Sequence, residues 1–289
     1  MTYEVNDRKS SILRGVDVRY GSVLEFGPLY RPLVTKSEAD VYYVDHCDRD
    51  ELRIKYKHDN NVPIDRIPEI DFVVRDGKFV NVVRDKGPYQ TVIASHVIEH
   101  VPDIIGWLSD VWTILETGGK LCLAVPDKRF TFDCMRRSST IKDAKEAFAA
   151  RRWRPSLDSV CDSYRNVVGV TAEEIWTGRF SRDNAEPGWP DSVVQAKIDD
   201  YLKGEYVDVH CWVFSPWEFI RLIGNICDTC GIHFRMVHFL NTKLGDEEFH
   251  VQLQKSTPDS LQPPTAWAEA AHAARLHAAW PKVSSNSGA

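Results

Sequence analysis

The segment TVIASHVIEHVP, residues 91–102, indicates the fold class of this chain. Its first four residues are mostly β-branched and apolar, as in a short buried strand of a parallel sheet, and polar side chains follow at once. The titratable ones are His96, Glu99 and His100. Because ligands of an open α/β sheet bind beyond the carboxyl ends of its strands, we expect this junction to belong to a functional site.

Short apolar runs on either side of this segment predict further strands of the same sheet. They are rich in Val and Ile and end at turn residues, a pattern typical of parallel strands covered on both faces. The predicted parallel strands are residues 22–26, 41–44, 70–74, 91–94 and 120–125. Two alternating stretches near the end of the chain, 233–240 and 248–254, predict an antiparallel pair that completes the sheet.

Helices are predicted between these strands. Apolar residues recur at helical spacing from Ile104 to Leu115, and Gly118-Gly119 should end that helix. Residues 49–57 form a second candidate helix, and Ser215-Pro216 has the composition of a third helix start. This order of elements predicts the α/β class, with a doubly wound Rossmann-like sheet of about seven strands whose last pair is antiparallel.

Residues 134–209 interrupt the alternation of strands and helices. They contain basic clusters, several tryptophans and no convincing strand, which predicts a mainly helical, lid-like insertion over the carboxyl edge of the sheet. We expect one domain over residues 1–255 that includes this insertion. The Pro- and Ala-rich remainder, residues 256–289, is expected to be a loosely ordered C-terminal tail.

The composition argues against some classes of function. The 289 residues carry a net charge of −6, which disfavours a nucleic-acid binder with a broad basic face. No run approaches the length of about 18 apolar residues that a membrane span needs, and the first residues lack the apolar core of a signal peptide. Seven cysteines without dense spacing fit a reducing compartment. We therefore expect a cytoplasmic protein with no nucleic-acid or membrane partner.

Two motifs carry a resemblance to a known family. ASHVIEHVPD, residues 94–103, follows the predicted fourth strand, and VLEFGPLYRP, residues 23–32, includes the first. With the predicted sheet, they make residues 20–255 resemble class I S-adenosylmethionine-dependent methyltransferases, in particular a bacterial small-molecule type often found beside glycan-building enzymes. The resemblance implies transfer of a methyl group from S-adenosyl-L-methionine to an oxygen or nitrogen of a small-molecule acceptor, with a sugar or glycan precursor favoured.

The resemblance places the cofactor at the ends of the first strands. Gly27 takes the position of the first glycine of the family's G-x-G-x-G motif, and Glu25 that of the acidic residue that helps to hold the methionine amino group. Asp45 would accept hydrogen bonds from the ribose hydroxyls, as an acidic residue does in dinucleotide-binding folds. Asp76 would contact the adenine amino group.

Further cofactor contacts and a departure from the motif follow from the same resemblance. Ser95 and His96 would line the methionine end of the cofactor. Pro28 follows Gly27, and the later glycines of the motif are missing. This disfavours an NAD(P)-dependent oxidoreductase, whose phosphate site needs free amide groups at a helix start. A non-catalytic binding module on the same fold stays open, because a degenerate glycine motif also suits a chain without cofactor affinity.

Candidate catalytic residues are defined by their proton chemistry. A hydroxyl acceptor would need a base, and His96, His100 and His210 titrate near neutral pH, with Asp127 as a further candidate. Lys128 and Arg129 leave the end of the fifth strand and are candidate substrate contacts.

The segment from His96 to His100 also has the spacing H-x-x-E-H, the zinc motif of inverted metallopeptidases. A zinc hydrolase using His96, Glu99 and His100 is the weaker alternative. That motif needs a regular helix, whereas here a strand precedes it and Pro102 follows at once. We expect no bound metal.

Overall fold

The sheet of this protein has seven strands, as predicted. The computed structural model describes residues 3–75, 77–257, 260 and 262–280. The strands are β1 Val23–Phe26, β2 Val41–Asp45, β3 Phe72–Val73, β4 Tyr89–Ser95, β5 Leu115–Pro126, β6 Phe234–Leu240 and β7 Glu248–Lys255. They lie in the order β3-β2-β1-β4-β5-β7-β6, with β1 to β5 parallel and β7 antiparallel to both neighbours. The predicted Rossmann-like α/β fold with a final antiparallel pair is confirmed.

Helices cover both faces of this sheet. They are α1 Tyr3–Ile12, α2 Arg49–Tyr56, α3 Val80–Val83, α4 Ile104–Ile114, α5 Ile141–Ala149, α6 Leu157–Asn166, α7 Ala172–Trp176, α8 Asp191–Leu202, α9 Pro216–Cys230 and α10 Pro264–Leu276. One large core joins the sheet to α4, α9 and α10, and a smaller core lies under α1. Among the helices of the described residues, none has the length and apolar character that a membrane crossing requires.

Local sequence signals set the ends of the helices beside the site. Asp103 caps α4 by accepting a hydrogen bond from the backbone N–H of Gly106 (2.9 Å). At α9, the carboxylate of Glu218 accepts from the backbone N–H of Ser215 (2.9 Å) and from its hydroxyl (2.5 Å), and Gly231 ends the helix with φ of 69°. These two helices follow directly on the segments that carry the candidate site residues.

Helix α4 ends four residues before the Gly118-Gly119 pair predicted to stop it. Leu115 already pairs with Tyr89, so the chain is extended from that point, and the register then shifts to accommodate extra residues in β5. A Cβ on Gly119 would lie 2.9 to 3.1 Å from backbone carbonyl oxygens of both strands. Gly119 therefore allows the two strands to approach closely, and it does not end the helix.

The segment 134–209 is helical in the structure and has cores of its own. It contains α5 to α8, together with a single bridge between Val168 and Pro187. Trp176 stacks on Phe130 with ring centroids 3.8 Å apart, which ties α7 to the end of β5. Val160 of α6 packs with the buried Val207 and Val209, which closely precede His210. The insertion is thus packed against the segments that follow β5 and precede α9.

The structure differs from the expected loose tail over residues 262–280. Helix α10 packs against α9 and buries Trp267, Ala271 and Ala274. Gly224 of α9 permits this contact, because a Cβ there would lie 2.7 Å from Trp267. The alanine-rich segment forms a helix with one buried face, and its small residues allow close packing. Residues 281–289, also part of the predicted tail, lie outside the described residues.

Candidate active site

The tips of three neighbouring strands form one row at the carboxyl edge of the sheet. The pairing of β1 with β2 and β4 places Gly27 level with Asp45 on one side and with Ser95 on the other. The backbone N–H of Gly27 donates to the carbonyl of Val44 (2.9 Å), which extends this alignment one residue beyond β1. Three predicted cofactor residues are therefore adjacent. Asp76, predicted after β3, lies outside the described residues.

The turn after β1 needs the glycine at its first position. Gly27 has φ of 58°, and a Cβ at this residue would lie 3.2 Å from Cγ2 of Val97. Pro28 follows, and Leu29 also has positive φ (43°). Turns rather than a helix connect this point to β2, consistent with the missing glycines of the motif. The turn leaves backbone exposed between β1 and β4, as a closely bound cofactor requires.

Glu25 lies behind this turn and not at its surface. Its side chain is 2% exposed, and its two carboxylate oxygens accept hydrogen bonds from the backbone N–H groups of Leu33 (2.7 Å) and Val34 (3.1 Å). Burial raises the pKa of Glu25 to about 7, against the opposing effect of these hydrogen bonds. Glu25 thus shapes the loop after β1, and the predicted contact with the methionine amino group is not part of this arrangement.

The raised pKa of Glu25 predicts a pH-dependent stability. The folded protein retains this proton to higher pH than the unfolded chain, so the stability it contributes is full below pH 4.5 and is lost as the pH rises through about 7. In urea unfolding between about pH 4.5 and pH 8, we expect the free-energy difference between wild type and Glu25→Gln to shrink by on the order of 3 kcal/mol.

A control separates this effect from general titration of the surface. Glu205 is exposed in the turn after α8, and Glu205→Gln should follow the wild-type pH profile. Parallel profiles for wild type and Glu25→Gln across the whole range would contradict a raised pKa at this carboxyl.

Polar contacts connect the tip of β2 to His100. Asp45 accepts from the backbone N–H of His46 (2.7 Å) and contacts Nδ1 of the same residue (2.6 Å), in each case through Oδ1. Lys55 lies 3.1 Å from Nε2 of His46 and 3.9 Å from Asp208, which accepts a hydrogen bond from Nδ1 of His100 (2.9 Å). The predicted ribose site and a predicted catalytic histidine thus belong to one continuous network.

Ser95 and His96 are held by an ion-pair network that spans the chain. Arg8 of α1 donates to Oγ of Ser95 (2.7 Å) and to both carboxylate oxygens of Glu248 (2.7 Å each). Nε2 of His96 donates to Glu248 (2.7 Å), as does Nε2 of His250 (2.8 Å). The end of β4 is therefore fixed by residues from the first helix and from β7.

This network shifts the pKa values of its members. Burial alone would raise the pKa of Glu248, but the hydrogen bonds from His250, His96 and Arg8 lower it well below its usual range. Burial alone would lower the pKa of His96, but the hydrogen bond to Glu248 and the charge of Glu99 raise it. The cluster therefore stabilises the ionised form of Glu248 and the protonated form of His96.

A second cluster lies beyond the end of β4, around Glu99. Its carboxylate is fully buried, and within the described part of the chain neither oxygen has a hydrogen-bond partner. Nε2 of His100 lies 4.0 Å from this carboxylate. The rings of His100 and His210 are perpendicular, with centroids 4.7 Å apart. Two of the predicted catalytic histidines are therefore adjacent, beside a carboxylate that the prediction used only in the zinc alternative.

Each of these histidines is oriented by an aspartate. Nδ1 of His100 donates to Asp208 (2.9 Å), and Nδ1 of His210 donates to Asp133 (2.5 Å). Burial would raise the pKa of Asp208, but His100 lowers it to about 2, and His210 lowers the pKa of Asp133 in the same way. The pKa of His100 is raised by Asp208, against the effect of burial. Both rings are thereby fixed, and Nε2 is the nitrogen that each presents to its surroundings.

The zinc geometry of H-x-x-E-H is not formed. Residues 98–100 form a turn rather than a regular helix, and His96 and His100 point into different networks, toward Glu248 and Asp208 respectively. The sheet strand before His96 and its positive φ (52°) set the two rings apart. The structure instead brings together Glu99, His100 and the distant His210.

A cavity of about 340 Å³ borders this cluster. His100, Asp208 and His210 form part of its wall, and the insertion supplies Tyr164 and Trp189. The remaining lining residues are Phe132, Ser163, Val167, Val168, Gly169, Gly188 and Val209. The cavity is therefore a mainly apolar and aromatic space with its charged groups concentrated at the two histidines.

The three predicted site residues that follow β5 lie outside this cavity. Asp127 is fully buried and is held by Arg129 (2.5 Å from Nη2) and by the hydroxyl of Thr242 (2.7 Å). Arg129 lies over the rings of Trp217 and Trp280, 4.9 and 5.1 Å from their centroids. Asp127, predicted as a base, and Arg129, predicted as a substrate contact, are instead paired with each other, because the chain turns inward after β5.

Lys128 is likewise engaged within the protein. Its Nζ donates to the carbonyl of Arg136 and lies 3.4 Å from the hydroxyl of Ser138. Burial lowers the pKa of its ammonium group. The predicted substrate contact is replaced by a link that fixes the segment after β5.

Sequence reasoning missed the groups that orient the histidines. Asp133 contacts His210 across 77 residues of the chain, and Asp208 contacts His100 across 108 residues. Arg8 and Glu248 are 240 residues apart. No spacing rule reports such pairs, because they depend on the packing of the insertion and of α1 against the sheet.

Comparison with known proteins agrees with the fold. A sheet of this strand order, with β1 to β5 parallel and β7 antiparallel, is that of a class I methyltransferase. Residues 6–166, more than half of the chain, match the family model described as "Methyltransferase domain", and the chain belongs to this family. It is a methyltransferase, and its cofactor is S-adenosylmethionine. No curated protein matches the chain in sequence.

Several solved structures are similar to this chain. A Rhodobacter sphaeroides protein, named as a Zn-dependent alcohol dehydrogenase, is 11% identical with a TM-score of 0.48, covering 87% of this chain and 90% of the other. A Listeria monocytogenes protein named as an S-adenosylmethionine-dependent methyltransferase is 12% identical, with a TM-score of 0.45 and coverages of 87% and 96%. Magnesium protoporphyrin IX methyltransferase from Synechocystis PCC 6803, with bound SAH, is 11% identical, with a TM-score of 0.40 and coverages of 88% and 83%.

Proposed function

We propose that this enzyme methylates a hydroxyl group of a small molecule, a sugar or glycan precursor, bound in the cavity beside His100 and His210. One observation carries the proposal: two histidines, each oriented by an aspartate, stand together on the wall of a cavity otherwise lined by apolar and aromatic side chains. An amine acceptor that arrives unprotonated has no need of such a pair, whereas a hydroxyl must lose its proton.

The row of strand tips suits the cofactor. Gly27 would allow its close approach to the backbone, Asp45 would accept from ribose hydroxyls through Oδ2, and Ser95 would lie at the methionine end. When bound, S-adenosylmethionine supplies a methyl group on a sulfonium centre. Glu25 supports this site indirectly, because its carboxyl group fixes the loop that follows Gly27.

The cavity supplies the positioning that methyl transfer requires. The rings of Tyr164 and Trp189 lie 6.0 Å apart and offer flat apolar surfaces against which a sugar or aromatic ring can pack. His100 and His210 would face the acceptor oxygen through Nε2 and promote the loss of its proton. Holding the acceptor in reacting geometry is the larger contribution that such a site makes.

Methyl transfer measured with His210→Asn tests this proposal. With tritiated S-adenosylmethionine and a panel of monosaccharides, nucleotide sugars and matched amino sugars, we expect labelling of a hydroxyl compound by the wild type. In His210→Asn the rate should fall by about 10²-fold or more, since loss of a positioned proton acceptor costs this much. The affinity for S-adenosylhomocysteine should stay within about three-fold, because His210 is outside the row of strand tips.

His58→Asn is the matched control, because His58 is exposed in the turn after α2. It should label the acceptor at the wild-type rate. Labelling confined to the amine of amino sugars, or a full rate in His210→Asn, would overturn the assignment of a hydroxyl acceptor at this wall.

A further inference from the structure

Glu99 is a buried carboxylate to which the described residues donate no hydrogen bond. Its side chain is 0% exposed, and neither Oε1 nor Oε2 accepts a hydrogen bond from any residue that the structure describes. Ionised carboxylates are seldom buried alone, because desolvation costs several kcal/mol unless a cation or hydrogen bonds compensate. The same segment carries His96 and His100 at 3.8 and 4.0 Å from Oε1, too far for hydrogen bonds. Both oxygens of Glu99 therefore lack a hydrogen bond that would compete with a metal ion.

The neighbours of Glu99 have the chemistry of metal ligands. A carboxylate oxygen of Glu99 and one ring nitrogen each of His100 and His210 all lie within 4.8 Å of one another. Ligand atoms around a tetrahedral zinc ion are separated by about 3.4 Å, because each bond is about 2.0 to 2.2 Å long. Small side-chain rotations would bring the three atoms to that spacing, and two imidazoles with one carboxylate form a common ligand set for zinc.

The surroundings of the two histidines also match a metal site. In such sites the histidine nitrogen that does not bind the metal usually donates to a carboxylate, which fixes the ring and its tautomer. Here Nδ1 of His100 donates to Asp208 and Nδ1 of His210 donates to Asp133. Both rings therefore present Nε2, and for His100 that nitrogen is the one nearest Glu99. Packing alone does not explain why each of the two histidines donates a hydrogen bond to an aspartate.

We infer that Glu99, His100 and His210 bind a divalent transition-metal ion, with Zn²⁺ as the best match, at the inner wall of the 340 Å³ cavity. Three protein ligands leave at least one coordination position open, and two of the ligands, His100 and His210, line the cavity. With the ion bound, both Nε2 atoms would be its ligands in place of accepting the proton directly. An acceptor hydroxyl bound to the ion would become more acidic and would release its proton to water. This role rests on the proposed function, whereas ion binding itself does not. The inference departs from the expectation of no metal.

Metal titration of the full-length protein tests the inference without any acceptor. After treatment with a chelator and dialysis, calorimetric titration with ZnCl₂ should show one ion bound per chain, and MgCl₂ should show none, since imidazole ligands disfavour magnesium. Addition of CoCl₂ should produce the visible absorption of cobalt coordinated by nitrogen in a low-symmetry site. S-adenosylhomocysteine titrated into the same samples reports separately on the cofactor site.

Variants distinguish this ligand set from the alternative set of the H-x-x-E-H motif, which includes His96. Glu99→Gln and His210→Asn should each weaken Zn²⁺ binding by about 10²-fold or more, as loss of a ligand does. The exposed His58→Asn should leave it within about three-fold, and His96→Asn should weaken it less than His210→Asn does. Circular dichroism shows whether each variant is folded. If His210→Asn does not fold, Glu99→Gln still tests the ligand set, because glutamine has nearly the same shape as glutamate.

Two results would overturn the inference. One is the absence of Zn²⁺ and Co²⁺ binding below millimolar concentration in a folded protein that still binds S-adenosylhomocysteine. The other is loss of binding in His96→Asn with retention in His210→Asn, which would place the ion on the H-x-x-E-H residues instead. Labelling of an amine acceptor by a zinc-loaded enzyme would contradict the proposed function alone.

Discussion

Asp127→Asn should lower the free energy of unfolding by about 3 to 5 kcal/mol, the usual cost of leaving a buried charge without its partner. The carboxylate of Asp127 is fully buried and accepts from the backbone N–H, Nε and Nη2 of Arg129, and from Thr242. The variant leaves the guanidinium, also buried, without a counter-ion. Urea unfolding monitored by fluorescence and circular dichroism measures the loss.

The chain contains a matched control for this pair. Asp17 and Arg19 have the same spacing and the same hydrogen bonds as Asp127 and Arg129, with a backbone N–H distance of 3.1 Å in both cases, but they are exposed. Asp17→Asn should leave stability nearly unchanged. The double variant Asp127→Asn with Arg129→Met should recover part of the loss, because it removes the unpaired charge. Equal effects of Asp127→Asn and Asp17→Asn would contradict the structural role of the buried pair.

Gly27→Val should weaken the binding of S-adenosylhomocysteine by about 10²-fold or more, measured by calorimetric titration. A β-branched residue at φ of 58° is strained by about 1 to 2 kcal/mol. Its Cβ would also lie 3.2 Å from Cγ2 of Val97, which must give by a few tenths of an ångström beside the point where β1, β2 and β4 meet. Both effects act on the backbone that the cofactor would approach most closely.

Gly15→Val separates cofactor binding from backbone strain. Gly15 has φ of 68°, similar to that of Gly27, but a Cβ there has open space within 4 Å, and the residue is remote from the row of strand tips. This variant should lose stability and keep its affinity for S-adenosylhomocysteine. If the two variants weakened binding to the same extent, Gly27 would have no special place in the cofactor site.

The sheet could be predicted from the sequence because its signals are local. The parallel strands contain short apolar runs, the last two strands alternate, and the signals before α4 and α9 lie within three residues of the helix starts. The end of α4 could not be predicted, since it depends on pairing between Leu115 and Tyr89. The burial of α10 depends on Gly224, 43 residues before Trp267, which permits close contact.

The site could be predicted only in part, for the same reason. Gly27, Asp45 and Ser95 come together because strand order alone aligns them. Asp127 and Arg129 were assigned to the cleft because charges after a strand usually face solvent, yet the two side chains neutralise each other and turn inward. The pairing of His210 with His100 arises from the packing of residues 207–210 on the insertion, which has no short-range signature.

The contact between Arg8 and Glu248 has a consequence for synthesis of the protein. During translation, the first helix leaves the ribosome about 240 residues before its carboxylate partner, and β7 must then insert between β5 and β6. Until that step, the end of β4 lacks the contacts that Glu248 makes with Arg8 and His96. The end of β4 is therefore fixed late, by the last strand to emerge.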